Sequence, residues 1–140
     1  MTCHADAAAV WKSSAHSHAY ATLAKKGKES DPACLRCHTT GFLLTGGFRP
    51  DLDPAKRAHL TDVGCETCHG PGSLHVDGHS KLTTSESGSM RTESAQQVCV
   101  ACHDRTNSPG FRPEARISLV CIAGNGTSGP PLRNDAHAAD

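Results

Sequence analysis

The chain has 140 residues, and its fourteen basic and fourteen acidic side chains cancel to a formal net charge of zero. This excludes a broad nucleic-acid footprint, the one compact basic cluster being Lys25, Lys26 and Lys28. With 4% aromatic and 36% hydrophobic residues against 13 glycines and eight prolines, side-chain burial alone is too weak to offset chain entropy, and no apolar run approaches a membrane span.

In chain order, "MTCH" comes first, with Cys3 and His4, and the N-terminus lacks the basic-then-apolar pattern of a secretory signal. The Ala-rich segment "AAAVWKSSAHSHAYATLAKKG" follows and predicts a helix that stops at Gly27. Its periodicity puts Trp11, Ala15, His18 and Thr22 on one face and Lys12, His16, Ala19 and Leu23 on another, so His16 and His18 are equal candidates for an inward position. Next come "CLRCH" (Cys34 to His38), then His59, then "CETCHGPGSLHV" (Cys65 to Val76) and "CVACH" (Cys99 to His103). The five-residue word repeats with spacings of 31 and 34 residues between first cysteines. Counting 34 back from Cys34 lands just before "MTCH", so the chain opens inside a fourth copy of which Cys3 and His4 survive.

Ten histidines and eight cysteines indicate a metal centre, or a cofactor carrying one, and three chemistries use a C-x-x-C pair. A disulfide framework gives no reason for histidine to follow every second cysteine. Zinc takes four ligands, commonly from two pairs closer together than these three. Covalent c-type haem accounts for the whole word: cysteines at i and i+3 of a helical turn present both sulfurs to the haem vinyl groups, and the histidine beside them reaches the iron. The expected attachment residues are Cys34 and Cys37, Cys65 and Cys68, Cys99 and Cys102, giving three haems c, with a fourth at Cys3 left open. The haems would then be the apolar core, and arginines such as Arg36, Arg49, Arg91 and Arg105 would answer their propionates.

His4, His38, His69 and His103 take one axial position on each iron. His16, His18, His59, His75, His79 and His137 remain for the opposite sides, and Met90 is the one internal methionine. Bis-histidine ligation is therefore expected. His75 follows Gly-Pro-Gly, a reversal that can lift it towards a neighbouring iron. His59 lies six residues before the third motif, whereas His79 and His137 stand in polar or Gly/Ser-rich surroundings and read as solvent-exposed.

The stretches "WKSSAHSHAYATL" (Trp11 to Leu23), "CLRCHTTGF" (Cys34 to Phe42), "GGF" (Gly46 to Phe48), "VGCETCHGPGSLHV" (Val63 to Val76) and "CVACHDRTNSP" (Cys99 to Pro109) resemble the multihaem cytochromes of the c-554 type, tetrahaem electron carriers in nitrifying bacteria. The resemblance implies a mainly α fold with extensive loops, little or no sheet and haems in close pairs, in a periplasmic or extracellular electron-transfer module. It implies His16 rather than His18, and His75, as distal ligands, and one haem of some members lacks a sixth ligand. On this basis the first and third haems should exchange ligands, His75 binding the iron of His4 and His16 that of His69. His38 should hold an iron that is five-coordinate or weakly ligated, with His59 its one nearby spare imidazole. Residues 1–116 form the expected multihaem domain and residues 117–140, which include Cys121, an irregular tail outside the resemblance. From the incomplete first motif and this tail, the chain is expected to be an N- and C-terminally incomplete member.

The expected function is electron transfer to and from redox partner proteins, other multihaem cytochromes among them, with no nucleic acid and no membrane span. The alternatives are a redox enzyme acting on a small nitrogen oxide or hydroxylamine at an open haem, and a structural, wire-forming subunit.

Overall fold

The computed structural model describes residues 4–73, 75–76 and 95–121. Cys3, His79, Met90, Arg91 and His137 lie outside the described residues, as does the tail beyond Cys121.

The Ala-rich segment forms three pieces where its composition predicts one helix: α1 (Ala5–Ser13), a 3-10 turn (Ala15–His18) and α2 (Ala19–Ala24). Ser14 stands between the first two in extended conformation, φ −87° and ψ 159°. The Ser13 hydroxyl donates to the Val10 carbonyl (2.8 Å), that of Ser14 to Trp11 (2.7 Å) and that of Ser17 to Ser14 (2.9 Å). Serines that bond to nearby backbone in this way give the chain an alternative to the helical ladder. The break is also fastened from outside, because the Trp11 indole donates to the Val63 carbonyl (2.8 Å) and the Val63 N–H donates to that of His16 (3.1 Å). Gly27, at φ +62°, does close the segment: its N–H returns to Ala24 and that of Lys28 to Leu23, the paired bonds of a glycine C-terminal cap.

Two Asp-Pro-Ala sequences start the next helices. In α3 (Pro32–His38) the Asp31 carboxylate accepts the Ala33 N–H at 3.0 Å, and in α4 (Pro54–Arg57) that of Asp53 accepts Ala55 at 2.8 Å. Proline at the first helical position has no N–H to leave unpaired, and the aspartate supplies the cap. A 3-10 turn (Ala58–Leu60) follows α4 directly.

Leu23, Leu35, Phe48 and Leu60 form a small core between these elements, with Tyr20, Cys34 and Phe42 packed against it. The Tyr20 ring lies 5.5 Å from that of Phe48, and the Arg57 guanidinium covers the same ring at 5.5 Å. Thr40 ties the surrounding loops together. Its N–H donates to Leu60, its carbonyl accepts from Phe48, and its hydroxyl donates to Asp62 while accepting the Gly64 N–H. Asp62, held at φ +69°, in turn accepts the N–H of Tyr20 in α2 through its carboxylate at 2.8 Å. Gly41 and Gly47 cross so closely that a Cβ on Gly47 would fall 1.8 Å from the Gly41 carbonyl oxygen. The "TTG" and "GGF" stretches are thus two sides of one crossing.

The remaining elements are α5 (Cys65–His69), α6 (Ala95–Val100), α7 (Pro113–Arg116) and a 3-10 turn (Ile117–Leu119); α5 packs on α6, and α6 on α7. Among the described residues there is no named strand, only an isolated antiparallel bridge between Thr39 and Thr61, and no helix is long and apolar enough to cross a membrane. The fold is mainly α with extensive loops.

Candidate haem-binding site

Each described Cys-x-x-Cys-His word is a helical turn. "CLRCH" ends α3, "CETCH" is the whole of α5, and in "CVACH" the N–H groups of Cys102 and His103 both return to the Cys99 carbonyl. This geometry puts the two sulfurs of a motif on one face with the histidine next to them. Cys3, the cysteine of the incomplete first motif, lies outside the described residues.

The three turns converge. The thiols of Cys37 and Cys102 are neighbours, and Cys102 is pushed up to about 12, first by burial and then by Cys37. Burial also raises the thiols of Cys68, Cys99 and Cys121; Cys99 and Cys121 add to the effect at Cys68. The third and fourth motifs therefore adjoin through Cys68 and Cys99, and the second and fourth through Cys37 and Cys102.

Two of the motif histidines, His38 and His103, are oriented through Nδ1. In His38 this atom lies 2.8 Å from the Ala19 carbonyl, to which it donates, and in His103 it lies 2.9 Å from the Ser108 hydroxyl. Fixing Nδ1 leaves Nε2 as the outward donor atom, the usual arrangement of a metal-bound imidazole. The His103 ring also stacks on Phe111 at 4.0 Å and 10°. Ser108 is placed by the loop before it, where the Asp104 carboxylate accepts the N–H groups of Thr106 and Asn107. An open cleft of about 490 Å³ beside His103 is lined by Val100, Phe111, Arg105 and Arg112 among others.

Histidines then meet in pairs. The rings of His4 and His75 are 6.1 Å apart and inclined by 28°, while those of His16 and His103 are 5.9 Å apart and inclined by 43°. Two imidazoles on one metal atom have centres about 6 Å apart, since a metal–nitrogen bond is about 2 Å and the ring centre lies roughly 1 Å further on. Among the described residues no three His, Cys, Asp or Glu side chains converge as a bare metal ion would need. Paired rings on attachment turns fit a flat iron cofactor held from both sides.

His75 reaches His4 because of the turn before it. Gly70 adopts φ +79°, ψ 177°, its N–H donates to the Glu66 carbonyl, and the Glu66 carboxylate accepts the Gly72 N–H at 2.6 Å. His16 is half-buried, on the face that also buries Ala19 and Leu23, whereas His18 is exposed. Burial, then the charges of His103 and His38, lower His16 below the ordinary imidazole value, and burial lowers His103. The ring that His16 meets is that of His103, not that of His69 as the expected exchange required. Instead Nε2 of His69 lies 3.9 Å from the Cys121 sulfur. His59 is exposed on the Ala58–Leu60 turn. Of the arginines expected near propionates, Arg105 lines the cleft and Arg49 is engaged with Asp51.

The model of the family described as cytochrome c554 and c-prime matches residues 1–70, half of the chain. The chain belongs to that family. A curated relative, cytochrome c-554 of Nitrosomonas europaea, is 36% identical over 95 residues, covering 57% of this chain and 39% of its own length. The chain thus spans about two fifths of the relative it matches. No solved structure matches it significantly. Membership of a c-type cytochrome family means covalently bound haem c, with which the motif turns, the Nε2 orientation and the ring pairs agree.

Sequence reasoning missed Phe111, Ser108, Glu66 and Asp62 as supports of the site. "CHDRTNSP" and "CETCHGPG" offered the signal, in an aspartate before a turn and a carboxylate within reach of glycine N–H groups.

Proposed function

We propose that the chain is an electron-transfer module carrying haem c at Cys34/Cys37, Cys65/Cys68 and Cys99/Cys102, with His38, His69 and His103 as proximal ligands, and that His4 with Cys3 marks a fourth position. Residues 1–116 form this module. Bound haem supplies an iron that gains and loses one electron without other bonds being made. The chain's own part is to hold the attachment turns together, aim each Nε2 and exclude water by packing such as that of Phe111 on His103. The observation that carries the reading is the pairing of His4 with His75 and of His16 with His103 at the separation of two axial imidazoles. His75 and His16 would accordingly hold the far sides of the haems at His4 and His103. Partners are redox proteins met outside the cytoplasm, where c-type haem attachment takes place.

His38, anchored through Nδ1 to Ala19, would hold an iron that is five-coordinate or weakly ligated, a reading supported by the exposed position of His59. A high-spin ferric signal from one haem per chain is expected there.

The test is expression in a host that matures c-type cytochromes, followed by a pyridine haemochrome count and intact mass. Haem mass on the peptides holding Cys34/Cys37, Cys65/Cys68 and Cys99/Cys102 supports the proposal. Zinc in place of covalent haem would refute it.

A further inference from the structure

The family match stops at residue 70 and the resemblance at about Arg116, yet the chain beyond turns back onto the site. Helix α7 runs into the 3-10 turn Ile117–Leu119, and the N–H of Cys121 closes on the Ile117 carbonyl at 2.9 Å. With α5 packed on α6 and α6 on α7, this stretch brings Cys121 over the CETCH turn, near Cys65 and Cys68. Its sulfur faces Nε2 of His69 at 3.9 Å. Nε2 is the atom with which the histidine of such a turn addresses iron.

A metal–imidazole bond of about 2.0 Å and a metal–thiolate bond of about 2.3 Å place opposed donor atoms roughly 4.3 Å apart. The observed separation is within half an ångström of that, on the same criterion met by the two ring pairs. His16, the imidazole expected here, is turned to His103 by the Ser14 break. Two independent features therefore meet at one point: a haem-attachment turn with its outward nitrogen, and a sulfur brought to face that nitrogen by a separate element.

We propose that Cys121 is the distal axial ligand of the haem attached at Cys65 and Cys68, giving it histidine–thiolate coordination. This rests on the haem assignment above. On binding, the thiol proton passes to solvent and the sulfur lone pair forms the iron–sulfur bond, with no change in oxidation state. An anionic thiolate favours ferric over ferrous iron, so this haem should have the lowest potential in the chain.

The experiment uses the holoprotein matured in a suitable host, with peptide mass first establishing haem on Cys65/Cys68. Ferric electron paramagnetic resonance and near-infrared magnetic circular dichroism should then show one thiolate-ligated low-spin haem per chain. Cys121→Ala should remove that signature and add one high-spin haem to the one expected at His38, whereas Cys121→His should restore low spin at that haem with bis-imidazole character and a raised potential. If haem is attached but wild type and Cys121→Ala give the same spectra, the sulfur only hydrogen-bonds near His69 and the proposal is overturned. If Cys121→Ala does not accumulate, the thiolate signature in wild type and its replacement in Cys121→His decide the matter. Absence of haem from Cys65/Cys68 would instead refute the haem assignment itself.

Discussion

Single residues set the tolerances of this site. Gly47 has no room for a Cβ, because the nearest obstacle is the backbone carbonyl of Gly41 and not a movable side chain. Gly47→Ala should cost about 3 kcal/mol or more, the upper range for overpacking, and thermal unfolding of the holoprotein would show it as a clearly lowered Tm. A Tm within a degree of wild type would contradict the close crossing. His16 and His103 set a pH limit. Burial lowers both below the ordinary value of 6.5, so the free imidazoles stay neutral, and able to bind iron, further into the acid range than an exposed histidine. On the proposed ligation acid would set protons against iron for the same nitrogens. The low-spin signal of the haem at Cys99/Cys102 should be level between pH 7 and 8 and fall on strong acidification; a signal that grew in acid would reverse the sign.

At the scale of elements, what could be read from the sequence was what neighbouring residues decide. Asp31-Pro32, the Gly27 stop and the Cys-x-x-Cys-His turns depend on bonds made within a few residues, and the motif pattern pointed to all three described attachment turns. The break at Ser14 was hidden because alanines favour helix on every side of it, while the bond that fastens it, Trp11 to Val63, spans 52 residues. For the same reason periodicity left His16 and His18 tied. A continuous helix gives each its own face, and only the position of the Val63 loop selects the face that enters. Likewise, the partner of His16 depends on where α6 packs, which no local signal carries. Replacing both Ser14 and Ser17 by alanine should favour an unbroken helix and turn His16 away from His103. Each lost hydroxyl bond costs about 1 kcal/mol. The measurable result is a smaller low-spin fraction at the haem of Cys99/Cys102 in ferric spectra, with haem content unchanged; an undiminished low-spin signal would show that the serines do not position the histidine.

For the whole molecule, the composition argument and the coordinates agree on a modest side-chain core: Leu23, Leu35, Phe48 and Leu60 serve the second motif, while Val100 and Ile117 stay exposed. A haem-free preparation should therefore give a weak circular dichroism signal with no cooperative thermal transition. A sharp transition in that sample would mean that the polypeptide suffices. The ring pairs add something that packing cannot. Bridged by iron as proposed, they would be what a polymer chemist calls cross-links: His4 to His75 would close a loop of about 70 residues, and His16 to His103 a second of nearly 90 that overlaps it. Closing a loop of such length removes freedom from the unfolded chain worth roughly 4 kcal/mol, as a disulfide would. On the proposed ligation these links would be dative bonds, which any strong iron ligand can displace. Excess cyanide or imidazole should then act on this protein as a reducing agent acts on a disulfide-bonded one, opening its loops while every haem stays covalently attached.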